Sequence, residues 1–212
     1  MHFSSLCSID IFGDFCQLEL MTFPPPPDPT EKQQAVLNAA MLVFARYGFK
    51  RSTMEDIAGA AGISRAALYL HYRNKEDIFR NLTSVFFDGV LADLQKVLAA
   101  PFARAEDGLI AAFAAKDGSF MEMIFASPHG GDLLDTGLSV AADIVSDCEA
   151  RFAVLLADWL SQREIPEDLG DASAYAATML AALKGLKTSS RDFASYREEQ
   201  RRLARVFGRA LG

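Results

Sequence analysis

The stretch STMEDIAGAAGISRAALYLHYRNKEDIF (residues 52–79) contains three helix starts in close succession. Thr53, Ser64 and Asn74 are residue types that accept a hydrogen bond from the first turn of a helix. Gly62 lies between the first two starts, where glycine favours the end of a helix. The stretch therefore predicts two short helices joined by a tight turn, followed by a longer third helix.

The two short helices are predicted over 53–61 and 64–72, which is a helix-turn-helix arrangement. Either Ser52 or Thr53 can be the N-cap of the first helix. Small side chains allow the two helices to cross closely, and apolar side chains complete the face between them. The predicted buried residues are Ile57, Ala58, Ala61, Ile63, Leu68 and Tyr72.

The outer face of the second short helix carries no acidic residue, although a solvated helix usually carries Glu and Lys there. Such a face suits a helix that lies against phosphates and base edges. Arg65 can contact a base or the DNA backbone. His71 is either a phosphate contact or a helix-end residue without a role, and Thr53 serves as a cap, a phosphate contact or both. The predicted DNA-binding residues are Thr53, Ser64, Arg65, Ala66, Tyr69, His71 and Lys75.

The charge distribution is compatible with DNA binding, although the 212-residue chain carries a formal net charge of −7. Between residues 28 and 80, eight basic residues stand against six acidic ones, a balance of +2 that leaves −9 for the rest. Four of these six acids lie in the first turns of two predicted helices, where they complement the helix dipole. We therefore expect a mildly basic DNA-binding module on an acidic body.

The composition and the first residues of the chain predict the cellular compartment of the protein. Half of the residues are hydrophobic, yet no apolar run reaches the roughly 18 residues that span a bilayer. The first residues lack a basic segment, so no signal peptide is expected. Cys7, Cys16 and Cys148 lack metal-ligand spacing and are interpreted as free thiols in a reducing compartment. We expect a cytoplasmic protein without a membrane partner, a metal site or a cofactor.

The rest of the chain predicts an all-α fold, because apolar residues recur at helical spacing and no strand pattern occurs. A proline-rich tail over 1–29 is expected to be disordered, with Met21 as an alternative start. A DNA-binding domain is expected over 30–90, and a regulatory domain for effector binding and dimerisation over 91–212. The predicted helices begin at a capping box at Thr30 and cover 30–48, 53–61, 64–72, 75–99, 104–116, 118–126, 133–163, 171–188 and 191–210.

The longer stretch GFKRSTMEDIAGAAGISRAALYLHYRNKEDIF resembles the DNA-binding signature of the TetR/AcrR family of transcriptional regulators. The turn, the caps and the apolar positions agree together, and the resemblance covers residues 30–90. It implies a homodimer formed by two C-terminal helices and a small effector bound in the C-terminal domain. Two departures bear on the operator sequence: Ala66 and Ala67 replace the frequent Gly-Thr or Gly-Ser, and Leu70 replaces a common aromatic residue or histidine.

Two apolar sets in the body are candidates for function, and such residues are more often ordinary core. The first is predicted to line a pocket for an apolar or aromatic effector and consists of Phe113, Met121, Phe125, Phe152 and Trp159. The second forms stripes on the last two helices, and the alternative is that these stripes pack only on their own chain. Its predicted dimer-interface residues are Tyr175, Met179, Leu183, Leu186, Tyr196, Leu203 and Phe207.

These patterns predict a DNA-binding transcriptional regulator, a repressor that the effector releases from a palindromic double-stranded operator. No catalytic triad, glycine-rich phosphate loop or carboxylate pair stands out, so we expect no enzyme. One alternative is a helical small-molecule-binding protein or enzyme. The other is an interaction adaptor without DNA binding, which the negative net charge and the pair Ala66-Ala67 would fit.

Overall fold

The structure is a computed structural model that describes residues 31–211, apart from the side chain of Leu138. The predicted tail over 1–29, the N-cap Thr30, Cys7 and Cys16 lie outside the described residues. Within residues 31–211 every regular element is helical, so the all-α prediction is confirmed. Over the same residues, no helix combines the length and the apolar character that a membrane crossing needs.

The helices follow the chain largely in the order that the sequence predicts. The elements are α1 (Glu31–Tyr47), α2 (Met54–Ala60), α3 (Arg65–Tyr69), α4 (Lys75–Ala99), α5 (Ala105–Ala126), α6 (Gly130–Asp132), a π-helical turn (Leu133–Gly137), α7 (Leu138–Val140), α8 (Ala142–Leu160), a 3-10 turn (Glu167–Leu169), α9 (Ala172–Ser189) and α10 (Phe193–Arg209).

Three predicted helix boundaries are wrong. The helices expected at 104–116 and 118–126 form the single helix α5, in which Gly118 is buried. A glycine inside a helix costs only about 1 kcal/mol, which the packing of a long buried helix offsets. The helix expected at 133–163 is interrupted by the π-helical turn and starts again at Ala142. The helix expected at 64–72 ends at Tyr69.

Helices α1 to α3 and the first part of α4 enclose an aromatic core. The ring centroids of Phe44, Phe49 and Phe79 lie 5.4, 5.6 and 5.1 Å apart. Ile57 of α2 and Leu68 of α3 belong to the same core and have no exposed surface. Helix α3 is too short to be stable alone, so this packing holds it in place.

The body, α5 to α10, shares its core with the N-terminal helices. Helix α4 runs unbroken past residue 90, where the domain boundary is predicted. Ile124 of α5 and Tyr196 of α10 belong to the same core cluster as Phe44 of α1. Neither α4 nor the core is interrupted at residue 90, so the domain division at 90/91 stays a prediction. Because the body and the N-terminal helices share one close-packed core, a movement of the body changes the packing of the N-terminal helices.

A junction segment, defined as residues 127–141 between α5 and α8, contacts the N-terminal helices. The carboxylate of Asp132 accepts a hydrogen bond from the main-chain N–H of Lys50 at 3.2 Å. Gly137 lies so close to the ring of Phe79 that a Cβ atom there would be 2.7 Å from a ring carbon. The segment thus fastens the body to the turn after α1 and to α4.

The body also contains a buried ion cluster, defined as Lys116, Asp117, Glu149, Lys187 and Tyr196. The ammonium group of Lys116 lies 2.9 Å from Glu149 and 3.4 Å from Asp117, and that of Lys187 lies 2.7 Å from Asp117. The Tyr196 hydroxyl donates to Asp117 at 3.3 Å. Burial acts to raise the pKa of Asp117, but the two ammonium groups outweigh burial and hold that pKa below its usual range.

Candidate nucleic-acid interface

Helix α2 begins at Thr53, one of the two candidate caps. The Thr53 hydroxyl accepts a hydrogen bond from the main-chain N–H of Asp56 at 3.2 Å and donates one to the Asp56 carboxylate at 2.6 Å. That carboxylate also accepts from the main-chain N–H of Thr53 at 2.9 Å, which completes a capping box. The hydroxyl of Ser52, the other candidate, is buried and donates to the carbonyl oxygen of Gly48 at 2.6 Å.

The turn into α3 is fixed on both sides. Gly62 has φ of 67°, in the left-handed region that glycine adopts without strain. The Ser64 hydroxyl accepts a hydrogen bond from the main-chain N–H of Ala67 at 3.1 Å, so Ser64 is the N-cap of α3. Leu68, on the inner side of α3, is completely buried. These contacts determine which face of α3 points outward.

The outward face of α3 is exposed and carries no acidic side chain. The guanidinium group of Arg65 lies 5.5 Å from the ring centroid of Tyr69, which is 44% exposed. A hydrogen bond with Tyr69 is the largest cause of the raised pKa of Arg65. The guanidinium is charged at neutral pH, as arginine always is in proteins. Contact of this face with DNA stays a prediction. Its exposed residues are Ser64, Arg65, Ala66, Tyr69, Leu70 and His71.

Lys75 does not point outward, and the expectation that it aims at a DNA strand is corrected. Its ammonium group donates to the carbonyl oxygens of Phe49, Lys50 and Ser52 at 2.8, 3.0 and 3.0 Å. A lysine ammonium has three protons, so these contacts use its whole donor capacity. The turn after α1 concentrates carbonyl oxygens at this point, and they attract the nearest cation.

Three other cations lie in the turns on either side of α2 and α3, and they are not among the predicted DNA-binding residues. Lys50 and Arg51 follow α1, and Arg73 follows α3. The side chains of Lys50 and Arg73 are 70% and 88% exposed, and their carboxylate partners lie at 3.8 and 3.7 Å, too far for short hydrogen bonds. Their position in turns beside the helix-turn-helix was the signal that could have found them.

The five residues predicted to line an effector pocket do not meet around one cavity. Phe113 and Trp159 pack in one core cluster, Met121 and Phe125 in a second, and Phe152 in a third. All except Phe125 are buried by neighbouring side chains. Aromatic residues at helical spacing serve here as core, because the packed helices leave no room between them.

An apolar cavity of about 30 Å³ lies instead where α1, α4, α5 and the π-helical turn meet. Among its lining residues the one hydroxyl, that of Thr83, donates to the carbonyl oxygen of Phe79 at 2.8 Å. Ligand pockets usually measure roughly 300–1,000 Å³, so this cavity holds no ligand without opening. Its lining residues are Met41, Phe79, Leu82, Thr83, Phe86, Phe87, Phe120, Met123 and Leu133.

A polar groove of about 240 Å³ lies between α4 and α8. Its acids are paired: Asp143 lies 2.6 Å from Arg80, and Asp88 lies 3.4 Å from Arg151. The hydrogen bond from Arg80 lowers the pKa of Asp143 to about 2. Cys148, at the floor of the groove, is a free thiol, and burial raises its pKa to about 12. A thiol with this pKa stays protonated and unreactive at neutral pH.

The stripes predicted to form the dimer interface pack on their own chain. The Tyr175 hydroxyl donates to the carbonyl oxygen of Phe207 at 2.8 Å, and the two rings meet at 5.4 Å. Side chains that are buried within their own chain cannot contact a second subunit. Four of the seven predicted residues are fully buried, Tyr175, Met179, Leu183 and Tyr196, and three are partly buried, Leu186, Leu203 and Phe207.

Known proteins resemble the chain in its N-terminal part. Residues 36–82 match the family described as bacterial regulatory proteins, tetR family. The uncharacterized HTH-type transcriptional regulator YfiR of Bacillus subtilis is 36% identical over 66 residues, 31% of this chain and 32% of that protein. The HTH-type transcriptional repressor KstR2 of Mycolicibacterium smegmatis is 33% identical over 73 residues, 34% of this chain and 36% of that protein. The chain spans about a third of the length of the curated relatives it matches.

A solved structure extends the likeness of fold to the body. The fatty acid degradation regulator FadR of Bacillus halodurans has a TM-score of 0.66 and is 16% identical, covering 84% of this chain and 96% of its own. At this identity the likeness concerns the fold alone. In its helix-turn-helix region, residues 36–82, the chain matches the tetR family of bacterial regulatory proteins, and its all-helical fold is like that of FadR.

Proposed function

We propose that the chain is a DNA-binding transcriptional regulator that acts as a repressor in the bacterial cytoplasm. The observation that carries the proposal is the exposed, acid-free face of α3, which capped turns hold in one orientation. The similarity to KstR2, which is named a transcriptional repressor, supports the direction of regulation. We propose no catalytic activity for the chain.

In this proposal α3 enters the major groove of the operator. Arg65 and Tyr69 reach base edges or phosphates from the outward face of the helix. Lys50, Arg51 and Arg73, in the flanking turns, neutralise phosphates on both sides. Each neutralised phosphate releases counterions, so affinity must fall as the salt concentration rises.

The test is a gel shift with the DNA upstream of the chain's own gene, repeated over a series of salt concentrations. We expect Arg65→Ala and Tyr69→Phe to weaken binding while the thermal melt stays unchanged, because both side chains are exposed. A lost phosphate contact lowers the salt slope by about one, and a lost base contact costs about 1–3 kcal/mol and relaxes specificity. Arg202→Ala, in the exposed face of α10, is the matched control.

Two results would contradict the proposed role of α3. If no duplex is shifted at low salt, or if Arg65→Ala and Tyr69→Phe both bind as the wild type does, α3 is not the DNA-reading helix. If no duplex is shifted at all, an adaptor without DNA binding becomes the better description, and partner proteins should be sought on the same face.

For the homodimer we propose a different surface from the one predicted, namely the outer rows of α8 and α9, which pack side by side. On α8 the row contains Ala150 and Val154, and Val154 is 59% exposed. The exposed face of α10 instead carries charged residues, among them Glu198, Arg202 and Arg205, which would have to be desolvated in an interface. The row on α9 consists of small exposed residues, Ala174, Ala177, Ala181 and Gly185.

For the effector we propose an apolar compound that opens the cavity between α1, α4 and α5. The lining is apolar, and its one hydroxyl is already used within α4. Because the cavity is too small in this state, an occupant must separate α4 from α1 or α5, which moves the helix that follows α3. Such a ligand binds the opened state better and thereby shifts the equilibrium away from the closed one. Hits from a thermal-shift screen that leave operator affinity unchanged would contradict this role.

A further inference from the structure

Leu70 is the most exposed large apolar side chain in the described part of the chain, at 84%. It directly follows α3, and its φ of −71° and ψ of −24° continue the helical conformation. Its main-chain N–H donates to the carbonyl oxygen of Ala67 at 3.3 Å, and the N–H of His71 donates to Leu68 at 3.1 Å. These hydrogen bonds hold the backbone of Leu70 in a helical conformation, and this conformation directs the isobutyl group outward.

A single exposed leucine on a protein surface needs no explanation. Leu70 is not isolated, however, because Ala66 lies four residues earlier, on the same side of the helical turn, and is also exposed. Together they form an apolar pair, defined as Ala66 and Leu70, on the acid-free face beside Arg65 and Tyr69. The pair can neither donate nor accept a hydrogen bond, so it cannot read a base through polar contacts.

The major groove offers one apolar group to such a pair, the C5 methyl group of thymine. We infer that Ala66 and Leu70 read thymine methyl groups in each operator half-site, which makes Leu70 a specificity-determining residue. This inference rests on the proposed DNA-binding function and goes further, since it assigns the base and the chemical group that are recognised. It follows from the position of the pair on the exposed, acid-free face of α3, continuous with Arg65 and Tyr69.

The experiment begins with selection of bound duplexes from a randomised DNA library by the full chain. Each thymine of the selected half-site is then replaced, one at a time, by deoxyuridine, which lacks the methyl group and keeps every hydrogen-bonding atom. Affinity is measured by fluorescence anisotropy. We expect one or two positions to weaken wild-type binding about fivefold, the loss that follows from one buried methyl-sized group.

The same duplexes are titrated with Leu70→Ala and with the control Val206→Ala, an exposed apolar side chain on α10. Leu70→Ala should weaken binding to the unmodified duplex by a similar factor, and deoxyuridine should then cause no further loss at the contacted position. This non-additivity identifies a direct contact. Val206→Ala should respond to deoxyuridine as the wild type does. Both variants should keep the wild-type melting temperature, because both side chains are exposed.

Three results would overturn the inference. The first is that deoxyuridine leaves wild-type affinity unchanged at every position. The second is that deoxyuridine weakens the binding of Leu70→Ala as much as that of the wild type. The third is that Leu70→Ala alters the oligomeric state in sedimentation while DNA affinity is retained. In each of these cases selected duplexes still bind, so the proposed function survives. If the library yields no bound duplex, the proposed function fails and this inference fails with it.

Discussion

The ammonium group of Lys75 donates a 2.8 Å hydrogen bond to the main-chain carbonyl oxygen of Phe49 and lies 4.8 Å from the centroid of the Phe49 ring. Two further bonds reach Lys50 and Ser52. The first residue of α4 is thereby tied to the turn after α1, across the helix-turn-helix. The relationship positions α3 indirectly, because α3 lies between these two anchored points in the chain.

Lys75→Met should therefore lower stability more than it lowers intrinsic DNA affinity. The variant keeps the apolar stem and leaves three carbonyl oxygens without their cationic donor, which should cost about 1–3 kcal/mol in urea unfolding. Lys184→Met, an exposed lysine on α9, is the control and should be close to neutral. Wild-type stability together with a large loss of DNA affinity would restore the original assignment of Lys75 as a DNA contact.

The buried ion cluster gives a prediction about charge and pH. Asp117→Asn leaves Lys116 and Lys187 without the carboxylate that both contact, and should cost about 3 kcal/mol at pH 7. The folded pKa of Asp117 is below its unfolded value, so its stabilising effect is present above about pH 4 and is lost as the pH falls through the folded pKa. The difference from wild type should thus narrow in urea unfolding at pH 3.

Glu122→Gln is the matched control for that change, because Glu122 lies on the same helix and is exposed. It should alter the free energy of unfolding little at either pH. A difference between wild type and Asp117→Asn that is the same at pH 7 and at pH 3 would show that the amide disturbs packing rather than charge.

Contact between the junction segment and α4 is tested by a pair of glycine substitutions. Gly137→Ala places a methyl group 2.7 Å from the Phe79 ring, which is itself packed against Phe44 and Phe49. We expect a loss of about 1–3 kcal/mol in thermal or urea unfolding. Gly131→Ala, in the same segment, meets no atom within 4 Å and should be neutral or slightly stabilising. Equal effects of the two changes would contradict the close packing of Gly137.

The proposed dimer surface predicts where a charge disrupts association. The wild-type chain should sediment as a dimer at micromolar concentration, and Ala181→Glu, in the small-residue row of α9, should give monomers because it places two carboxylates near the two-fold axis. Val206→Glu on α10 should leave the dimer intact. If Val206→Glu dissociates the dimer and Ala181→Glu does not, the interface involves α10, as the apolar stripe on that helix predicts.

The helix-turn-helix could be predicted from the sequence, apart from the end of α3, because its signals are local. Thr53, Ser64 and Asn74 cap helices through bonds to residues three positions later, and Gly62 closes its turn within the same short stretch. The outward face of α3 follows from the same local information, since burial of Leu68 on the inner side leaves Arg65, Ala66 and Tyr69 exposed. Local hydrogen bonds and helical spacing do not depend on residues that are far away in the sequence.

Only the tertiary structure decided the direction of Lys75, the burial of Tyr175 and Met179, and the separation of the five aromatic and methionine residues expected in one pocket. The physical reason is that an apolar stripe has the same pattern whether it packs on its own chain, on a second subunit or around a ligand. A lysine likewise has the same sequence signature whether phosphates or carbonyl oxygens receive its protons. Partners distant in the chain make that choice, and they are fixed when the helices pack.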